Sequence, residues 1–212
     1  MKAEGISVNS VPGTVRARDC TFLSGKHIVM TGYAGASGTV REACSKAEIL
    51  SARFSPSYID RIMHIPVMNG EKQETVDGII SRSVEAGAEV IYNLKAGDGG
   101  IYAALWQLGE SLNSGFAVRH KDIPILQETI EVCNLLDINP YMLESGDCML
   151  MVTDAPSKLT EEMNRAGIPA ADIGNLTTER KRAIINGENE RYLNRPETEI
   201  SSNRGLQNGQ HT

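Results

Sequence analysis

The stretch Gly97-Asp98-Gly99-Gly100-Ile101-Tyr102-Ala103-Ala104-Leu105-Trp106-Gln107-Leu108-Gly109-Glu110-Ser111 joins a glycine-rich turn to a helix. Ile101, Ala104, Leu105, Leu108 and Leu112 recur on one face, with Tyr102 and Trp106 flanking, so the helix is predicted to be buried against a sheet. Glycines before a helix let the backbone take positive φ and leave N–H groups at its positive end, a place for phosphate. Glu89-Val90-Ile91-Tyr92-Asn93 reads as the strand that delivers the chain to this turn.

Outward from that unit the chain alternates. Lys26 to Gly32 is a strand, and Gly35-Ala36-Ser37-Gly38-Thr39 opens a helix with Val40, Ala43, Cys44, Ala47, Leu50 and Phe54 at helical spacing. Ser55-Pro56 caps a short helix carrying Tyr58, Ile59 and Ile62. Val76, Ile79, Ile80 and Ser83 mark a further helix that ends at Gly87. Phe116 to His120 is a strand, and Leu126, Thr129, Ile130, Cys133 and Leu136 mark one helix face. The last third gives strand Cys148 to Val152, helix Ser157 to Ala166, strand Ala171 to Leu176, and Arg182 to Ile185 turning at Asn186-Gly187. From Pro196 the composition holds almost nothing to bury, and a disordered tail is expected over 196–212.

Composition narrows the function. A net charge of −6 and 41% hydrophobic residues fit an ordinary globular chain and argue against a nucleic-acid footprint. No segment reaches the ~18 apolar residues of a membrane span. Cys20, Cys44, Cys133 and Cys148 lack Cys-x-x-Cys pairing or histidines at ligand spacing, so no metal site is expected, buried free thiols are, and the setting is cytoplasmic. His27, His64 and His120, like Asp19, Asp60 and Asp77, are isolated in sequence and give no catalytic constellation.

Gly25 to Gly32, Gly99-Gly100-Ile101 through Glu110, Ile123-Pro124-Ile125 with Thr129-Ile130-Glu131, Ile138 to Gly146, Gly167-Ile168 and Ile173-Gly174 occur in a familiar order. Together they resemble the C-terminal domain of the aminoimidazole ribonucleotide (AIR) synthase superfamily, in the branch similar to the hydrogenase maturation factor HypE. The resemblance implies an α+β (α/β) fold: a three-layer α/β/α domain with a mixed sheet, PurM C-terminal-domain-like, containing a ferredoxin-like element. It covers roughly 20–195, after an N-terminal extension of 1–19.

The departures shape the functional expectation. Members of that superfamily join an ATP-binding N-terminal domain to this one, and only about twenty residues precede the region of resemblance here. The expected protein is therefore a free-standing, non-catalytic accessory, either a homodimer or the partner of a separate ATP-binding-domain protein that would supply ATP and Mg²⁺. The family turn reads Asp-x-Thr-x-Gly-Gly, whereas Lys95 and Gly97 stand at the Asp and Thr places. The hydrogenase factor's terminal cysteine has no counterpart after Cys148, so its chemistry is not carried over.

Two readings of the turn stay open. In one, Asp98 caps the helix and the glycines only make a tight connection. In the other, Lys95, Gly97, Gly99, Gly100, Ser145 and Gly146 hold a phosphate, and the chain is a small ATP- or phosphometabolite-binding enzyme. Gly32 to Gly38 is a second glycine-rich loop, without the Gly-Lys-Ser/Thr of a Walker sequence.

Overall fold

The run Met149-Leu150-Met151-Val152-Thr153 has no polar alternation, the pattern of a strand covered on both faces. In the computed structural model, which describes residues 23–87 and 90–196, that run is β4 and all five residues are buried. The strands are β1 (His27–Thr31), β2 (Val90–Lys95), β3 (Gly115–Arg119), β4 (Met149–Thr153), β5 (Ala170–Thr177), β6 (Arg182–Asn186) and β7 (Asn189–Tyr192). They form one sheet in the order β2-β4-β1-β5-β3-β6-β7, antiparallel throughout except for the parallel pair β3–β6.

The helices are α1 (Ala36–Ser45), α2 (Ala47–Arg53), α3 (Pro56–Met63), α4 (Gly70–Glu85), α5 (Gly100–Ser111), α6 (Gln127–Leu136) and α7 (Pro156–Arg165). Side-chain alternation in β1 assigns the layers. Ile28 and Met30 pack with Ile101, Leu105 and Leu108 of α5, while Val29 packs with Ile79 and Ile80 of α4 and with Leu159 and Met163 of α7. The result is the expected α/β/α arrangement. Full burial of Leu105, at 0% exposure, contributes ~2–3 kcal/mol.

Strands β5, β1, β4 and β2 lie side by side, every neighbour antiparallel, and their crossovers carry α4 and α7 on one face. That is the split βαβ, ferredoxin-like element implied by the resemblance. The segment holding α5, β3 and α6 is inserted between its second and third strands. Ala43, Leu50, Ile62 and Val132 form a satellite cluster from α1, α2, α3 and α6.

Several expectations need correction. The helix expected from Thr39 to Phe54 breaks at Lys46 (φ −122°, ψ 33°), and the bend seats Leu50 with Ala43 in the satellite cluster. Cys44 is exposed, because the buried stripe of α1 is Ala36, Thr39 and Ala43; the free thiols of Cys133 and Cys148 are buried as expected. On α6 the inward residues are Thr129, Val132 and Cys133, whereas Ile130 is 38% exposed. The Thr39 hydroxyl donates to Thr129 Oγ1 at 3.0 Å, which fixes that rotation. The β6–β7 turn centres on Gly187-Glu188, with Asn186 paired to Asn189 and φ +61° at Gly187, as a II′ turn requires. Asn69 emerges as the side-chain N-cap of α4, accepting from the Lys72 N–H at 3.0 Å. The expected N-terminal extension, Cys20, Asp19 and the tail beyond Pro196 lie outside the described residues.

Two glycines separate packing from conformational strain. At Gly174 in β5 a Cβ would sit 2.8 Å from Val118 Cα and closer still to the Ala117 carbonyl, whereas at Gly187 it would meet nothing within 4 Å. Gly174→Ala is expected to lose more than ~2 kcal/mol of unfolding free energy in urea melts, and Gly187→Ala only ~1 kcal/mol. Equal losses would contradict the close approach of β5 to β3.

Candidate functional site

Two strand–turn–helix units approach the same segment of chain. β1 leads through Gly32 to Gly35 into α1, and β2 leads through Ala96 to Gly99 into α5. Both helices begin at a left-handed glycine, Gly35 (φ 71°) and Gly99 (φ 79°), and neither has a side-chain cap. Their first N–H groups donate within the turn, Ala36 to the Tyr33 carbonyl at 3.2 Å and Gly100 to the Gly97 carbonyl at 3.1 Å.

The third N–H of each helix meets the segment that runs into β4. Gly38 donates to the Glu144 carbonyl at 3.1 Å, and Tyr102 donates to the Tyr141 carbonyl at 3.1 Å. The glycines admit this approach. A Cβ on Gly100 would lie 2.5 Å from the Tyr141 and Leu143 oxygens, and one on Gly38 would lie 2.7 Å from the Glu144 oxygen. Carbonyl oxygens from one segment thus stand before the positive ends of two helices, where an anion would otherwise be attracted.

The six candidate anion-binding residues fall around this junction. Gly97 and Ser145 meet directly, the Ser145 N–H donating to the Gly97 carbonyl at 3.2 Å. Ser145 is fully buried; its hydroxyl donates to the Leu143 carbonyl and accepts from the Gly35 N–H, both at 2.9 Å. The Gly146 N–H donates to Glu144 Oε1 at 2.5 Å. Gly99 is exposed and Gly100 buried, while Lys95 is exposed at the end of β2, in register with Met149. A Cβ at Gly97 would meet nothing within 4 Å, so the packing does not demand glycine there.

Asp98 does not cap α5. Its side chain is 95% exposed, 4.0 Å from Arg41 Nη1 of α1, because Gly99 supplies the N-cap and turns Asp98 outward. The histidines stay apart. His27 Nδ1 lies 2.8 Å from Asp172, His64 Nδ1 lies 2.8 Å from the Asp60 carbonyl, and His120 packs 4.4 Å from the Tyr141 ring. Burial, then Arg191, lowers the His120 pKa. Asp77 contacts Gln73 at 3.4 Å. Among the described residues no three His, Cys, Asp or Glu side chains converge to hold a metal ion.

The residue that sequence reading passed over is Asp147. It is 5% exposed, and its carboxylate faces the Ser37 hydroxyl and the N–H groups of Ser37 and Met68 without a well-aligned hydrogen bond to any of them. Ser37 is the second residue of α1, so a built-in carboxylate lies at that helix's positive end. Its only sequence signal is a charge set directly before an apolar strand. Next to it, Cys148 Sγ donates to the Tyr33 carbonyl at 3.3 Å, and burial raises the thiol pKa well above its usual value. An inert structural thiol results. Burial likewise pushes the Cys133 thiol up to about 11.

No family model matches the chain, and no curated protein matches it in sequence. Solved structures do match in fold. E. coli HypE, a hydrogenase maturation protein, superposes with a TM-score of 0.62 at 15% identity, over 90% of this chain and 56% of that one. A chain of the HypE–HypF complex gives 0.60 at 14% identity, covering 87% of this chain and 55% of that one. T. maritima PurL complexed with ATP gives 0.53 at 17% identity, covering 80% and 25%. The chain therefore shares the fold of part of HypE and spans little more than half of HypE's length.

The buried carboxylate sets a pH dependence. Burial raises the Asp147 pKa above its usual 3.8, so the fold favours the protonated form. Its stabilising contribution is complete below the unfolded value and is lost as pH rises through the folded one. Asp147→Asn is expected to melt above the native protein at pH 7, with the gap closing as pH falls toward 3.8. A gap that is constant with pH, followed by calorimetric or circular-dichroism melts, would remove burial as the cause.

Proposed function

We propose that this chain is a non-catalytic, partner-dependent accessory protein, a counterpart of the C-terminal half of HypE-like proteins. The observation that carries the reading is the set of Tyr141, Leu143 and Glu144 carbonyl oxygens packed against the glycine turns. A helix terminus already facing carbonyl oxygen has less field left for a phosphate. One further fact agrees: the buried thiols of Cys133 and Cys148, with raised pKa values, make poor nucleophiles.

The partner in this proposal carries an ATP-binding domain. PurL has been seen with ATP and HypE with HypF, and this chain spans about half of HypE. In the assembled state the exposed members of the candidate set, Lys95 and Gly99, are what this chain offers to a small-anion site that the partner supplies. Met142, 53% exposed on the covering segment, and Ile130, 38% exposed on α6, are apolar surface available to that partner or to a second copy of the chain. The free thiols of Cys44, Cys133 and Cys148 suit a reducing, cytoplasmic setting, and no described helix is long and apolar enough to cross a membrane.

A second reading, a small ATP- or phosphometabolite-binding enzyme, draws on the exposed Lys95 ammonium just ahead of the turn. Titration calorimetry of the full chain with ATP, ADP and Mg²⁺ separates the two. The accessory reading expects no hydrolysis and no heat that depends on Lys95. Saturable heat that Lys95→Ala abolishes would overturn it in favour of the enzyme.

Self-association has its own measurement, light scattering behind size exclusion. A mass above 23.0 kDa that grows with concentration is the result expected of a homodimer. A constant monomer mass would leave the separate partner as the proposal's only form.

A further inference from the structure

A different cavity opens beside the C-terminal half of α5, away from the glycine turn. It measures about 560 Å³, within the range of small-molecule pockets. Trp106 and Glu110 of α5, Tyr192 of β7 and the consecutive cations Arg180, Lys181 and Arg182 line it. The chain as a whole carries −6, so three adjacent cations around a concavity reverse its field locally, and low-dielectric walls focus that field.

One of the cations is held in place. The Arg182 guanidinium carbon lies 3.9 Å from the Trp106 ring centroid, and Nη2 is 2.5 Å from Glu110 Oε1. A Cβ on Gly109 would lie 2.8 Å from Arg182 Nε, so this glycine lets the side chain rest against the helix. Arg182 is only 14% exposed, and its Nε is buried without a hydrogen-bond partner. Burial at this cost is sensible for a positioned cation.

The remaining groups face solvent. Arg180 and Lys181 are exposed, Lys181 Nζ lying 2.8 Å from Glu179, and Tyr192 is 58% exposed. A single carboxylate, Glu110, opposes three cations on the wall and is itself engaged by Arg182. Arg182 is paired with Glu110 and Lys181 with Glu179, an exposed pair that an anion can replace, while Arg180 is in no ion pair among the described residues.

We propose that this cavity binds a phosphate monoester that carries a planar ring. Arg180 and Lys181 take the phosphate by charge-assisted hydrogen bonds, and the Trp106–Arg182 stack and Tyr192 flank the ring. The site shares no residue with the glycine turn and stands whether or not that turn binds an anion.

Trp106 is the only tryptophan in the chain, so intrinsic fluorescence of the full-length protein reports from the cavity wall. The probe is AMP, with adenosine and inorganic phosphate titrated separately. A saturable change in emission is expected for AMP, weakening as salt is raised, and about tenfold weaker binding for either fragment. The double variant R180A/K181A changes exposed side chains only and is expected to weaken AMP binding by about tenfold or more. A flat AMP titration, a curve unmoved by R180A/K181A, or adenosine binding as tightly as AMP would each overturn the proposal. Loss of signal at Trp106 would leave the Lys95-dependent titration of the glycine turn untouched, so the two readings fail separately.

Discussion

The backbone carbonyls of Tyr141, Leu143 and Glu144 are the constraint on which the arrangement of this molecule depends. Each helix that starts at a glycine has N–H groups its own turns cannot satisfy. Here one segment supplies acceptors to both, and then continues directly into β4, the strand between β1 and β2. Ser145 knits the junction further, bonding to the Gly35 N–H, the Leu143 carbonyl and the Gly97 carbonyl. The two turns, the covering segment and the three strands behind them are therefore one structural unit. A side chain at Gly38 or Gly100 would break it by steric overlap with main chain, which ordinarily cannot yield.

That unit recasts the meaning of a glycine-rich turn. Glycine before a helix is compatible with phosphate binding, but it is equally what close main-chain packing demands. Gly97 separates the two requirements. It has ordinary φ and open space, so nothing in the packing asks for glycine there, whereas Gly99 and Gly100 have positive φ and crowded Cβ positions. Close packing accounts for Gly99 and Gly100, and it leaves Gly97 and the exposed Lys95 unconstrained.

Local pattern was legible in the sequence wherever one residue's neighbours along the chain decide its environment. Val76, Ile79, Ile80 and Ser83 face inward on α4 as their spacing requires, and the unbroken apolar run of β4 is buried on both sides. The readings failed where a distant partner decides. The Thr39–Thr129 hydrogen bond, between residues 90 apart, turns α6 so that Val132 rather than Ile130 faces inward. Asp98 looks like a cap until Gly99 takes that position. The candidate site was legible as two turns and a polar loop, but not their convergence, since Gly35 and Ser145 are 110 residues apart. Asp147 and the Arg182–Trp106 stack left no periodic trace at all.

The placement of β1 at the heart of the sheet has a consequence for how the protein comes into being. His27–Thr31 hydrogen-bonds to β4 on one side and β5 on the other, so its partners are residues 149–153 and 170–175. Contacts of such long sequence separation close large loops and form slowly. During synthesis the first described strand emerges well over a hundred residues before either neighbour, at ~5–20 residues per second. For several seconds a strand with three consecutive large apolar residues, Ile28, Val29 and Met30, has no native edge to join. Its protection in that interval must come from outside the native sheet, which makes the newborn chain, more than the finished one, the state most exposed to chaperones and to aggregation.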